Sequence, residues 1–404
     1  MNRLIVVGAG PAGLSLALQL ARAGRSVTLL EARRDFARGL RGDALLPCGL
    51  EALARMGLWP LLQQLPQRTL ADWSVWLEGR LLFQVAEPMG CLQPCRLVPQ
   101  QALLEALLQE ALALQAFDWQ AGVTVTGLLR RPRSGGSSAE GRVCGVRLAD
   151  GRCLEADLVI ACDGRDSQLR QAAPLPLQHR GAPLDLLWFQ LPAAAAAKPQ
   201  PDPIAGFHTL VGGGAIASVC RGATGELQLG WLLRPGEPLP RRSAREWVEA
   251  IAALAPPPLA ALLQRQGDHL SGPQRFRVQV GQARRWHEPG LLLLGDAAHP
   301  MSPIRAQGIN MALRDSLVAA RELLASEPNP TALDQACQRI ERLRRPEISR
   351  LQKLQLAEAR QGHWIGHNAV LRHSLALGAP LLGPVARAVW MKRQRPLREG
   401  AVWL

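Results

Sequence analysis

The chain has no tyrosine and only three lysines among its 404 residues. Its cationic side chains are therefore almost all arginines. With heavy use of Ala, Leu and Gly, this reads as a bias of coding composition. A formal charge of +14 suits nucleic acid, an anionic membrane surface or an anionic cofactor. The arginines are scattered, without the clustered stripe of a nucleic-acid binder, so nucleic acid is excluded as a partner. The eight cysteines (Cys48, Cys91, Cys95, Cys144, Cys153, Cys162, Cys220 and Cys337) contain no CxxC pair and no Cys/His zinc spacing. That excludes a metal site built on them, and free thiols fit a reducing cytoplasm. No run of about twenty apolar residues suits a membrane span. The best candidate, 369–390, is broken by Arg372, His373, Pro380, Pro384 and Arg387.

What is present begins at the N-terminus. Leu4 to Val7 is a short apolar, β-branched run that predicts a buried parallel strand. Gly8-Ala9-Gly10-Pro11-Ala12-Gly13 follows at once and matches GxGxxG. Leu14 to Ala23 has helical apolar spacing closed by Gly24, and Ser26 to Leu30 predicts a second strand ending on Glu31. Gly8 makes the tight turn, Gly10 lets backbone approach a pyrophosphate, and Gly13 lets the helix lie close on the strand. The helix N-terminus offers free N–H groups to phosphate, and Glu31 would accept hydrogen bonds from a ribose. A secretory signal or a glycine-turn hairpin would account for the apolar run, but not for the glycine spacing together with Glu31.

The composition, 48% hydrophobic and 20% charged, is that of a globular protein large enough for two joined domains. Helices are expected over Pro47–Met56, Pro99–Leu114 and Ile309–Ala325, and a helical stretch over Leu333–Arg360 with a kink or break at Pro346. Strands are expected at Trp73–Val85, Val123–Leu128 and Leu158–Ala161. A hairpin is expected around Ala149-Asp150-Gly151, and loops at 134–138 and Pro256-Pro257-Pro258. From about Leu175 to Val280, Pro, Gly and alternating strands dominate, as in an antiparallel sheet inserted into the nucleotide fold. Gly212 to Ala217 also fits a fingerprint pattern, but no strong strand precedes it and no long helix follows, so it reads as a turn. The basic, apolar last forty residues are either a helix packed on the body or a peripheral contact with lipid headgroups.

Three separated motifs coincide: Gly8 to Glu31, Asp163-Gly164 after one strand, and Gly295-Asp296 after another. The combination resembles the single-component flavoprotein monooxygenases, the p-hydroxybenzoate hydroxylase family, from Met1 to about Arg345. The resemblance implies an α/β fold: a Rossmann-like FAD-binding domain, three layers around a parallel sheet, with an inserted antiparallel-sheet substrate domain and C-terminal helices. The division expected is 1–70, 96–174 and 281–330 for the FAD-binding domain, 71–95 and 175–280 for the substrate domain, and 331–404 for the C-terminal helices.

The same resemblance implies roles residue by residue. FAD would contact Gly8, Gly10, Pro11, Ala12, Gly13, Glu31, Ala32 and Arg33, with Val125 at the adenine. Arg41 and Arg96 would lie near the ribityl and phosphates, and Asp163 and Gly164 would support FAD and the passing nicotinamide. Gly295 and Asp296 would hold the ribitol hydroxyls. Pro303, Ala306, Gln307, Gly308, Ile309 and Asn310 would bring amides and a helix N-terminus to the flavin pyrimidine edge. Where many relatives read Gly-Gln-Gly, this chain has Ala306-Gln307-Gly308 preceded by Arg305. His299 and Arg305 are the candidate proton-moving or charge-bearing groups, with a structural hydrogen bond the competing role for His299. Cys48, Trp188, Phe189, Phe207 and Met301 are candidates for the substrate pocket.

The implied reaction uses NAD(P)H as a transient co-substrate and O₂ to oxygenate an aromatic or lipophilic small molecule through a flavin C4a-hydroperoxide. Two alternatives stand beside it. One is a flavin-dependent reductase of an isoprenoid-like substrate; the other is a non-catalytic flavin protein that binds a membrane or partner.

Overall fold

The computed structural model describes residues 3–37, 43–131, 141–181, 184–193, 204–234 and 236–402. Five strands lie parallel in the order Leu291–Leu293, Leu158–Ala161, Arg3–Val7, Ser26–Glu31 and Phe117–Ala121. His287–Glu288 adds an antiparallel edge. The central strands are apolar on both faces because both faces are covered. Leu4, Val6, Leu158 and Ile160 pack beneath the helices Pro11–Arg22, Gln100–Leu112 and Gln307–Leu324. Their neighbours Ile5, Val7 and Val159 face a three-stranded antiparallel sheet, Val125–Arg131, Arg142–Leu148 and Cys153–Glu155. The period of two along each strand thus separates two cores and produces the three layers.

A second, seven-stranded sheet draws its strands from 72–86 and 185–277, in the order Ser271–Arg277, Asp185–Leu191, Leu227–Leu233, Ala215–Arg221, Phe207–Gly212, Asp72–Leu77, Arg80–Ala86. All neighbours are antiparallel except Phe207–Gly212 beside Asp72–Leu77. Its outer face packs Leu187, Phe189 and Leu229 against Trp247, Ile251 and Leu263 of two helices, Ala244–Ala252 and Pro257–Gln266. Its inner face turns Trp73, Phe207 and Cys220 toward Leu46 and Cys48 of the nucleotide-binding part. Gly213 and Gly214 form a turn between two strands, as expected for the second glycine cluster.

A loop expected at the three prolines and a break at Pro346 are both absent, each for a physical reason. Pro256-Pro257-Pro258 is not a loop but the start of the helix Pro257–Gln266, because proline fits a first helical turn, where its missing N–H costs nothing. Pro346 does not break its helix, which runs unbroken from Pro330 to His367. Pro346 and Arg342, the residue whose carbonyl loses its partner, are both exposed, so water can take that carbonyl. The loop expected at 134–138 lies outside the described residues.

The chain ends in two helices, Ala369–Leu377 and Ala379–Glu399, bent by 104°. Arg372 pairs with Glu78, and Leu375 and Ala376 pack near Leu77 and Leu82, so the pair covers the outer strand of the larger sheet. Among the described residues no single helix is long and apolar enough to cross a membrane.

Candidate active site

The glycine loop is built by close approach. Gly8 has φ +99°, and a Cβ there would stand 2.4 Å from the Cys162 carbonyl oxygen. A Cβ on Gly13 would stand 2.0 Å from the Gly8 carbonyl oxygen. The helix that follows opens with Pro11 and has no side-chain cap, so its first amides are available to an anion. Glu31, expected at a ribose, is buried and accepts backbone N–H groups from Ala9 at 2.8 Å and Arg33 at 3.1 Å. It therefore ties the glycine loop to the second strand as well. A carboxylate has about four lone-pair sites, so a ribose can still be accommodated. Ala32 lies between these contacts, and Val125, the adenine candidate, is buried at the start of its strand.

The other two motifs close on this loop. Asp163 directly follows Cys162, whose carbonyl crowds Gly8. One Asp163 oxygen accepts the Leu169 N–H at 3.2 Å; Oδ1 is buried without a protein partner. Burial lifts this carboxyl above the usual range, against the opposing hydrogen bonds from Ser167 and Leu169. Gly164 follows at φ +87°. Gly295 has φ +58°, and a Cβ there would lie 3.1 Å from the Ala12 Cβ. Asp296, one-third exposed, stands 4.0 Å from Arg165 and 3.9 Å from where a Gly308 Cβ would be. Residues nearly three hundred positions apart thus line one trough.

The loop from Pro303 to Asn310 carries the departure from the family pattern. Arg305 and Ala306 both sit in the left-handed region, at φ +58° and +49°. That conformation costs a side-chain-bearing residue roughly 1–2 kcal/mol. Ala306→Gly is expected to stabilise the fold by about 1 kcal/mol, less the extra entropy of a glycine in the unfolded chain. Urea unfolding with matched m-values checks this, and an unchanged or lowered midpoint would contradict the strain.

Gln307 donates to the Arg305 carbonyl at 3.0 Å and the Leu397 carbonyl at 2.8 Å, while its own side-chain oxygen is buried without a partner. Asn310 donates to the Ala44 and Ala306 carbonyls and accepts from the Leu46 N–H. It thereby ties the helix Gln307–Leu324 to the strand Ala44–Leu45 and to Leu46, the N-cap of the helix Pro47–Arg55. Ile309 packs into the helical core.

Several candidates have other settings. Arg41 lies outside the described residues. Arg96 donates to Gln67 and Gln93, lies over Trp59 at 5.1 Å, and keeps a buried Nε without an acceptor. Cys48 is fully buried, with desolvation pushing its thiol up to about 12, so it is a packed thiol and not a group facing an open pocket. Met301 is likewise core. Trp188 and Phe189 cannot both line the pocket, because adjacent strand residues face opposite ways. Phe189 packs on Trp247 at 5.0 Å on the outer face. Phe207 is on the inner face, 5.0 Å from Trp73.

His299 is buried in a hydrogen-bonding network. Its Nε2 bonds Asp315 at 2.6 Å, and the ring packs on Trp286. Asp315 also accepts the Gly295 N–H at 3.2 Å and Arg344 at 2.7 Å. Arg344 continues to Glu347, which pairs with Arg314 at 3.0 Å. Burial raises the Asp315 carboxyl, but His299 and Arg344 together hold it below the usual range. This fully buried network braces the Gly295-Asp296 turn from beneath. Little in the local pattern signals it, because apart from the Arg344–Glu347 pair one turn apart its links join elements remote in sequence. Arg305 is also not loose. It pairs with Glu358 and lies between Trp73 at 5.2 Å and Trp390 at 5.0 Å.

The residues present fit FAD. Uncapped amides stand at the glycine loop, and Asp163 Oδ1, Gln307 Oε1 and Arg96 Nε are buried polar atoms without protein partners. FAD supplies hydride acceptance and oxygen chemistry. The protein's part is to hold phosphate, ribose and ribitol, and to aim a positive helix end at the pyrimidine edge.

Comparison with known proteins agrees. Residues 2–351 match the FAD binding domain family. The chain is 32% identical to a 6-methylpretetramide 4-monooxygenase of Streptomyces rimosus, over 88% of this chain and 83% of that protein. It is 29% identical to a ubiquinone hydroxylase of Rhodospirillum rubrum, over 85% and 78%. Pseudomonas aeruginosa PqsL, solved with 2-aminobenzoylacetate, superposes with a TM-score of 0.76 at 20% identity, covering 94% and 99%, and shares the fold. The geometry of the trough and these matches lead to one assignment: the chain belongs to the FAD binding domain family and is an FAD-dependent oxidoreductase.

Proposed function

We propose that the protein is a monooxygenase that uses NAD(P)H and O₂ to oxygenate an aromatic or lipophilic small molecule. The observation that carries this reading is the helix N-terminus at Ala306-Gln307 beside an aromatic inner sheet face: the adjoining Arg305 lies 5.2 Å over Trp73, which packs on Phe207. Amides there would stabilise the anionic reduced flavin, and the aromatic face would exclude water from it. With only one nucleotide fingerprint in the chain, the nicotinamide would bind transiently. The two relatives named above act on 6-methylpretetramide and ubiquinone, by their names, which agrees with an aromatic or quinonoid class. The strand membership of the two large sheets supports 71–95 and 175–280 as the substrate domain.

The test is turnover of the FAD-loaded protein under ¹⁸O₂ with a panel of phenols and quinols. One labelled oxygen per product is expected. Reduced but unlabelled product would replace the reading with a reductase, and no NAD(P)H oxidation with any substrate would reject catalysis.

A peripheral membrane contact belongs to the same proposal. Val370, Leu377, Leu381 and Val385 are exposed on the C-terminal helix pair, Leu381 to 85%, and Arg387, Lys392, Arg393 and Arg395 are exposed beside them. Apolar residues with flanking cations suit an anionic bilayer surface. The double substitution Leu381→Glu, Val385→Glu is expected to lower the affinity for phosphatidylglycerol vesicles about tenfold or more in cosedimentation. Equal binding by both proteins would remove this contact.

A further inference from the structure

The space around Arg305 is closed. Leu46, Trp73, Arg305, Trp390 and Leu397 enclose about 10 Å³, room for no more than a water molecule. A cleft of about 820 Å³ opens elsewhere, between the turn at Gly213-Gly214, the ends of three strands of the larger sheet, and the last turns of the helix Pro330–His367. That volume falls in the range of small-molecule sites. Leu184, Leu232 and Ala359 line it, and they form one apolar cluster with Val278, Val280 and Ile304. Ile304 directly precedes Arg305, so the apolar cluster beneath the cleft extends to the flavin-edge loop.

The rim has the opposite character. Arg234, His363 and His367 stand together there. The Arg234 Nε donates to His367 Nε2 at 3.2 Å, and His367 Nδ1 lies 2.8 Å from the His363 carbonyl oxygen. The two imidazole rings lie 4.0 Å apart, tilted by 31°. Glu237, also at the rim, accepts the Arg234 backbone N–H at 3.0 Å. Among the described residues no carboxylate pairs with the Arg234 guanidinium. Its remaining N–H groups are therefore free to hold an anion over an apolar floor.

We propose that this cleft receives the substrate, and that the substrate is an anionic amphiphile. Its carboxylate or enolate group is held at Arg234, and its apolar body lies over Leu184, Leu232 and Ala359, with the far end toward Ile304. This rests on the oxygenation reading above and narrows its substrate class.

The test is equilibrium fluorescence binding to the FAD-loaded protein with two probes of one shape. One is 8-anilinonaphthalene-1-sulfonate; the other is N-phenyl-1-naphthylamine, which lacks the sulfonate. Arg234→Ala is expected to weaken the sulfonate probe about tenfold, the scale of a lost charge-assisted hydrogen bond, and to leave the neutral probe within about twofold. His363→Trp, on an exposed helix face, is expected to block the cleft and weaken both. If Arg234→Ala leaves the sulfonate probe unchanged, or His363→Trp leaves both unchanged, the cleft is not the site. Turnover is not read, so a protein that discriminates the probes yet incorporates no labelled oxygen keeps the cleft and loses the oxygenation reading.

Discussion

Gly13→Val yields a protein that purifies without flavin. The new Cβ would stand 2.0 Å from the Gly8 carbonyl oxygen and 3.1 Å from the Cys162 Cβ. Neither neighbour can yield. The Gly8 N–H is bonded to the Leu30 carbonyl at 2.8 Å, and the Cys162 N–H is bonded to the Val7 carbonyl at 2.7 Å. The helix Pro11–Arg22 must therefore lift from the sheet, which strains the packing of Leu14 and Leu18 and moves its first amides off the phosphates. Overpacking of this kind costs roughly 1–3 kcal/mol. The loss of FAD affinity is expected to be larger, about a hundredfold or more, because a displaced helix end loses its hydrogen bonds and its dipole together. Visible flavin absorbance of the purified protein and its Tm measure the two effects. A stoichiometrically yellow Gly13→Val protein would show that the close approach is not needed.

Arg344→Met is expected to give the largest loss of stability of any single substitution considered, about 3–5 kcal/mol. Asp315, Arg344 and Glu347 are each fully buried. Removing the central guanidinium leaves His299 and Arg314 to serve two carboxylates that water does not reach. The effect has a pH signature. In the wild type, burial raises both carboxyls, but the surrounding cations overcome it and hold both below the usual range. Groups with lowered folded values stabilise the fold above their unfolded pKa of about 4 and lose that contribution as pH falls through the folded value. In Arg344→Met the balance tips the other way, because desolvation then dominates and the carboxyls rise. The deficit relative to wild type is full at neutral pH and shrinks as pH falls toward about 4. Urea denaturation at two pH values checks it. A deficit that is small, or equal at both, would mean that the network carries little of the stability.

These two predictions rest on different kinds of information. Gly13 could be assigned its role from the chain alone, because the strand, glycine spacing, helix and terminal acid are contiguous and their geometry is local. The buried strands Leu4–Val7 and Leu158–Ala161, and the turn at Gly213-Gly214, are legible for the same reason. Arg344 could not be singled out. It sits in an arginine-rich helix where Glu347 is only one turn away, but Asp315 meets it only because two helices cross.

Local sequence by itself determined the nucleotide-binding unit, since backbone sterics and short-range periodicity act within a few residues. Three remote motifs were legible as motifs, and with them the family and its cofactor. The tertiary structure alone decided which side chains of an alternating strand face the flavin side, so that Phe207 faces inward while Phe189 does not. It decided that Pro346 stays within a continuous helix, because the freed carbonyl faces water. It also decided that Arg305 is held between Trp73 and Trp390 while a cleft opens beneath Arg234. Each of these depends on which surfaces meet across tens to hundreds of residues. Burial and pairing are properties of that meeting, and no local pattern of residue types contains them.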